Sequence, residues 1–302
     1  MAADNAQLGN PKVVGALLAG AAAIAFGATM PFVQKAGVGL GPFSTAALLY
    51  LGAALATVPV RRQIDVATPP LRAGHLPRLL LGAVVGAAIA PALLAWGLGR
   101  TSAVHGSLLL NCEVIFTVLL AAWMHHEPIG KRMRWALLFI VVAACLSVGG
   151  GSSAQSSSLL GALAVVAAVA GWAFDNVLTR TLADFDPAAV VRTKASCGAL
   201  LTTSAAFFFA EPAPRLSSVL VLLACGFGGY GLSLRLYLLA QRRVGAAKTG
   251  LVFAVAPFFG AAMALILEAR MPDARTLLVA VLFVIGIALQ LGDDDGTTHE
   301  PA

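Results

Sequence analysis

Residues 226–260 read GFGGYGLSLRLYLLAQRRVGAAKTGLVFAVAPFFG. Two long apolar segments flank the basic turn Gln241-Arg242-Arg243, with Arg235 inside the first, Lys248 inside the second and Pro257 breaking the second near its middle. Water does not tolerate so much contiguous apolar surface, whereas a helical hairpin across a bilayer satisfies its backbone inside each helix. A charge within a spanning segment is costly, so Arg235 and Lys248 need either a functional role or a route for snorkelling to the headgroups.

The rest of the chain has the same character. Its 302 residues are 59% hydrophobic and 11% charged, with a mean hydropathy of +0.87. Soluble domains carry about 25% charged residues, so the composition implies a polytopic membrane protein. A net charge of +6 follows from basic residues at helix ends, and no basic-aromatic interleaving points to nucleic acid. The four cysteines, Cys112, Cys145, Cys197 and Cys225, each lie inside an apolar run and none forms a CxxC pair. They are expected to be free, buried thiols. His125-His126 has no zinc-ligand spacing, and no metal site or cofactor is expected.

Upstream, Lys12 leads an apolar run to about Lys35, longer than a signal-peptide core and expected to be an uncleaved first helix. Further runs follow at about 42–60, 76–98, 102–125, 134–149, 158–180, 187–209, 217–240, 244–267 and 274–291. Each is near the roughly 20 residues that cross hydrocarbon as a helix, and Pro42 and Pro187 open theirs. The expected fold is therefore an all-α integral membrane protein with ten spans. Residues 1–11 and 292–302 form polar tails, the latter with Asp293-Asp294-Asp295, and the one long connection, Arg61 to Arg78, is rich in proline and arginine. With Lys12 placed inside, eleven loop Lys and Arg residues fall inside and five outside. Both termini are therefore expected in the cytoplasm, and the protein is expected in the cytoplasmic membrane.

The halves, residues 12–149 and 158–291, resemble each other. Leu79/Leu222, Gly86/Gly229, Ala103/Ala246, Leu108/Leu251 and Phe116/Phe259 all keep an offset of 143 residues, and Pro42/Pro187 an offset of 145. Five spans per half invert the second relative to the first. Inverted repeats recur in secondary transporters, which bind substrate near the midplane between repeats.

Gly171-Trp172-Ala173-Phe174-Asp175-Asn176-Val177-Leu178-Thr179-Arg180 continues through Asp186-Pro187 to Lys194, then Gly228-Gly229-Tyr230-Gly231, Val244-Gly245-Ala246-Ala247-Lys248-Thr249-Gly250 and Ala256-Pro257-Phe258. With Thr101-Ser102-Ala103, Leu110-Asn111-Cys112-Glu113 and Glu127 in the first half, this series resembles the EamA-type family of the drug/metabolite transporter superfamily over residues 12–291. Phe26-Gly27 stands where the family often has Trp-Gly, and Arg270 falls where the repeat offset places a second loop acid, with Glu268 two residues early. The resemblance implies two inverted five-helix halves around a central cavity and movement of small metabolites, often export of amino acids or related compounds.

Candidate cavity residues follow from charge and depth. Asp175 lies roughly 7–8 Å inside its helix end before Arg180, and Lys194 roughly 10 Å beyond Pro187 from the same face. They are expected to face one another as a loose, water-sharing pair, able to take a substrate amine and carboxylate respectively. The other reading is a structural ion pair. Glu113, near the middle of its segment, must be protonated, paired or beside water, with Arg235 its nearest partner by depth. His105 is either a proton relay or a hydrogen-bonded packing residue, and the repeat puts it level with Lys248. Arg192 is read as snorkelling. Trp172, Tyr230 and Tyr237 are candidate substrate contacts, set against the ordinary packing role of aromatic residues. Gly82 and Gly86, and Gly226, Gly228 and Gly229, read as close helix packing.

Lys194, Arg235 and Lys248 outnumber Asp175 and Glu113. A zwitterionic, amino-acid-like or anionic metabolite is expected, moved by a monomer or homodimer within the lipid bilayer. No ATP-binding motif is present in the sequence, so proton or counter-substrate coupling is expected to supply the energy. A membrane-embedded enzyme is the alternative, disfavoured by the lack of GxSxG and HExxH motifs, and a channel or structural membrane subunit is the third reading.

Overall fold

The computed structural model describes residues 11–58, 73–125, 129–147, 158–179, 182 and 185–291. Glu127, Arg180, most of the Arg61–Arg78 connection and the acidic tail lie outside the described residues. Among the described residues every regular element is helical. The first half holds α1 (Pro11–Ala36), α2 (Pro42–Leu55), α3 (Leu76–Val84), α4 (Ala90–Leu98), α5 (Ala103–Leu109), α6 (Glu113–His125) and α7 (Lys131–Ser147). The second holds α8 (Leu159–Thr179), α9 (Pro187–Phe208), α10 (Leu216–Cys225), α11 (Ser233–Val244), α12 (Ala246–Phe253), α13 (Ala256–Leu267) and α14 (Ala274–Leu291). Among the described residues six stretches are long and apolar enough to cross a membrane: Lys12–Ala36, Leu76–Leu98, Ala103–Met124, Leu159–Leu178, Leu216–Val244 and Lys248–Leu267. Pro42–Leu55 and Ala274–Leu289 are apolar but shorter.

Side-chain size separates inside from outside. The interior is rich in alanine, including Ala19, Ala22, Ala23, Ala46, Ala87, Ala90, Ala136 and Ala168, while Leu17, Leu160, Leu200, Phe207 and Phe208 stand 67–83% exposed. Large apolar side chains on the outside and small ones at helix contacts are what a lipid solvent selects, since helices there associate by close packing rather than by expulsion of water. Cys112 and Cys225 are buried as expected, but Cys145 is exposed and Cys197 half-buried. In lipid an outward thiol is as acceptable as an outward alanine, so an apolar run does not by itself locate a cysteine.

Proline and glycine set the helix ends. Pro42 and Pro187 sit in the first turns of α2 and α9, where no intrahelical N–H is required. Asp186 caps α9 by accepting from the Ala188 N–H at 3.0 Å. Gly41, at the same place before α2, has no side chain to offer. The Glu211 carboxylate instead reaches across from the far end of α9 and accepts from the N–H groups of Phe43 (3.1 Å) and Ser44 (2.6 Å). Gly245, at φ +83°, makes the left-handed turn between α11 and α12 that a side chain would resist. Asp273 caps α14 by accepting from the Thr276 N–H at 2.7 Å. Hydrogen bonds from Thr276 hold its carboxyl below the usual carboxylate range.

The irregularities recur along the chain. A π-helical turn, Val85–Ile89, joins α3 to α4, and another, Gly226–Leu232, joins α10 to α11. An offset of 143 lays residues 85–89 on 228–232. A 3-10 turn at Leu110–Cys112 separates α5 from α6. The same offset carries it onto 253–255, where α12 stops at Phe253 and α13 begins at Ala256. Packing is exchanged between halves: α1 lies against α10, α11 and α13, and α8 against α3, α4 and α6, while α2 pairs with α9 and α7 with α14. Residues of both π turns and residues at both helix breaks line one cavity.

Candidate functional site

The π turn after α3 begins the site. There the Ala90 N–H bonds to the Val85 carbonyl, five residues back. The next residue, Pro91, has no N–H, so the Gly86 carbonyl is left without the helical donor it would otherwise have. Two side chains supply donors: the Tyr50 hydroxyl from α2 at 2.8 Å and the Trp172 Nε1–H from α8 at 2.9 Å. One proline thereby ties three helices to one backbone oxygen.

Glycine at 86 also admits Asp175. A Cβ at this position would stand 2.7 Å from the Asp175 Cβ and closer still to its carboxylate. The carboxylate, held against the turn, accepts directly from Lys194 of α9, and the two residues are 4% and 8% exposed. The loose, water-sharing arrangement expected from depth is thus replaced by a direct contact. The missing side chain of Gly86 brings α8 close, and burial leaves no bulk water between the charges.

Glu113 begins α6 immediately after the 3-10 turn, and its Oε1 accepts from Asn176 Nδ2 at 2.8 Å. Asn176, next to Asp175 in sequence, is the partner, and not Arg235. Depth along a helix locates a charge but not the face it points from, and α6 packs on α8.

These groups line one cavity of about 130 Å³, which also takes in Gly229, Ser233, Leu234, Val191 and Ala195. At about 30 Å³ of liquid volume per water, such a volume holds on the order of four waters. Its walls are aromatic. Phe26 lies 5.9 Å from Trp172, 5.5 Å from Tyr230 and 5.7 Å from Phe253, centroid to centroid. Tyr50 meets Tyr230 at 5.7 Å, and Tyr237 meets Phe253 at 5.0 Å. Most of these pairs are edge-to-face, an arrangement favoured by ring quadrupoles that keeps the rings in register. The Tyr230 hydroxyl is buried and has no hydrogen-bond partner among the described residues.

Asp175, Lys194, Glu113, Trp172 and Tyr230 thus share the cavity, together with Tyr237. Arg235, Lys248 and His105 do not line it. Arg235 is half-buried on α11 and Lys248 is exposed at the start of α12. His105 packs in the first turn of α5, its Nδ1 2.9 Å from the Ser102 hydroxyl, which also accepts from the His105 N–H. Arg192, read as snorkelling, donates to the Thr57 hydroxyl at 3.3 Å and carbonyl at 3.1 Å at the end of α2. Phe26, Tyr50, Asn176 and Phe253 were not singled out as lining residues by sequence reasoning. Phe26 is the exception that had a signal, since Phe26-Gly27 stands where the resembled family often has Trp-Gly.

A family model described as the EamA-like transporter family matches residues 13–149 and again residues 159–292. An "Uncharacterized transporter" from Methanothermobacter thermautotrophicus (strain Delta H) is 31% identical over 195 residues, covering 63% of this chain. The match spans 57% of that relative's length. A protein crystal structure, 19% identical in sequence, superposes with a TM-score of 0.67 over 94% of this chain and 98% of its own, a likeness of fold.

Proposed function

Because the chain belongs to the EamA-like transporter family, a family of multi-pass membrane transporters, we propose that it is a secondary transporter of a small organic metabolite, working by alternating access between two inverted five-helix halves. The two family matches, one per half, support the repeat. Five spans in each half would invert the second relative to the first. On this reading there are ten spans, both termini are cytoplasmic, the membrane is the cytoplasmic one and the direction is export.

The observation that carries the reading is the cavity at the meeting of the π turns and helix breaks, walled by α1, α2, α6, α8, α9, α11 and α12 and containing buried charge. Buried ionisable groups within membrane helices are expensive and mark ligand or ion pathways. Breaks in spanning helices are tolerated where they line such a cavity. Lys194, on which an anionic substrate would depend, is engaged by Asp175. An amino-acid-like compound retains a second charge for the site to read.

The test is flux. Purified protein in proteoliposomes, loaded with a panel of radiolabelled metabolites with and without a pH gradient or internal counter-substrate, should give counterflow for at least one compound. Asp175→Asn should lower that flux at least tenfold per folded transporter, and it should also lower stability, because it strands the buried Lys194. A membrane-embedded enzyme or a structural subunit predicts no flux for any member of the panel. Normal flux in Asp175→Asn would remove the ion pair from the site.

A further inference from the structure

The cavity lining carries two carboxylates, Glu113 and Asp175, and one ammonium, Lys194. Lys194 contacts Asp175 directly, so that pair is internally neutral. No other Lys or Arg among the described residues lines the cavity. Glu113 is left with a neutral partner, Asn176. A carboxylate inside the hydrocarbon region needs a compensating positive charge or a proton, and the described residues provide no cation for Glu113 within this cavity. Around it stand six rings, Phe26, Tyr50, Trp172, Tyr230, Tyr237 and Phe253. Aromatic faces attract cations and exclude the hydration that an anion would need to keep. The buried, unpartnered Tyr230 hydroxyl is a further acceptor for an N–H donor.

We propose that the site recognises an organic ammonium: the cationic nitrogen of the substrate is taken by Glu113, and an apolar or aromatic body fills the ring-lined part of the cavity. This rests on the transport reading only in that the cavity is the substrate site. A carboxylate on the substrate is dispensable, because Lys194 is held by Asp175. The expectation from composition was the reverse, since three intramembrane cations outnumbered two acids. In the folded protein two of the three, Arg235 and Lys248, lie away from the cavity and the third is neutralised.

The test uses four probes that share one aromatic body: 2-phenylethylamine, 2-phenylethanol, 3-phenylpropionate and phenylalanine. Binding to the full chain in lipid nanodiscs is measured by calorimetry at pH 7.5. The amine should bind at least tenfold more tightly than the alcohol and the propionate, and no less tightly than phenylalanine. Glu113→Gln should bring amine and alcohol to within about twofold of each other, with an unchanged thermal unfolding midpoint reporting that the fold is intact. Should Glu113→Gln fail to fold, Glu113→Asp should preserve the sign of the preference and Asn176→Ala should preserve or increase it. Three results overturn the proposal: an amine that binds no better than the alcohol, tighter binding of the propionate or of phenylalanine, or an amine preference that survives Glu113→Gln. Proteoliposome flux is read separately. Amine binding without flux of any metabolite defeats the transport reading and leaves the charge assignment standing. Flux of an anion that the amine does not inhibit defeats the charge assignment and leaves transport standing.

Discussion

At Gly86 a missing side chain and a freed backbone carbonyl act together. The missing side chain lets the Asp175 carboxylate approach the π turn, and the carbonyl collects Tyr50 and Trp172. Gly228, in the corresponding π turn of the second half, has open space where a Cβ would go. The two glycines should therefore respond oppositely to alanine. Gly86→Ala inserts a methyl against a buried ion pair and should destabilise by about 1–3 kcal/mol, the usual range for overpacking, with loss of transport. Gly228→Ala removes backbone freedom at no steric cost and should be neutral or stabilising by up to about 1 kcal/mol. Thermal unfolding of the purified protein in detergent reads both. Equal effects at the two positions would show that Asp175 does not rest on Gly86.

Among the elements, the short helix α2 depends on its neighbours. Its amino end has a glycine where α9 has a capping aspartate, and the Glu211 carboxylate supplies both missing hydrogen bonds from the other half of the chain. The stacked rings of Phe43 and Phe209, 5.3 Å apart, lie beside this contact. Glu211→Ala should cost about 0.5–2 kcal/mol, as loss of a helix cap does, and should raise amide exchange at Phe43 and Ser44 more than at the first turn of α9. Unchanged exchange there would mean that the cap carries no weight. This contact also shows what a sequence hides. The positions of α2 and α9 were legible because each begins at a proline and continues as a long, mostly apolar run. The pairing of Asp175 with Lys194 was legible because a short hairpin fixes two depths from one turn. The partner of Glu113 was not, because it depends on which helix packs beside α6 and which face it turns. Phe253 and Tyr50 were missed for the same reason.

For the whole molecule, the exchange of packing between halves has one consequence that labelling can read. The first helix of each half lies against the third apolar stretch of the other, α1 on α10–α11 and α8 on α3–α4, and the helix irregularities recur at an offset of 143. Such an exchange is what a twofold relation between halves produces. If each half crosses the bilayer five times, the second half starts from the opposite side and the axis lies in the membrane plane. Positions equivalent by repeat must then lie on opposite faces. Arg100 and Arg243 are equivalent at that offset, as are Lys131 and Ala274, and all four are exposed. Counting loop Lys and Arg puts Arg100 and Ala274 outside and Lys131 and Arg243 inside. In a chain whose four native cysteines are replaced, single cysteines at the four positions should divide in that way: a membrane-impermeant maleimide applied to intact cells should label positions 100 and 274, and positions 131 and 243 only after permeabilisation. Arg100 sits with its guanidinium 3.9 Å from the Trp96 ring centroid, so its replacement forfeits about 0.5–1 kcal/mol at an exposed site without touching the cavity. A parallel repeat would label both members of each pair from the same side, and that single result would remove the inverted architecture and, with it, the geometric basis for alternating access.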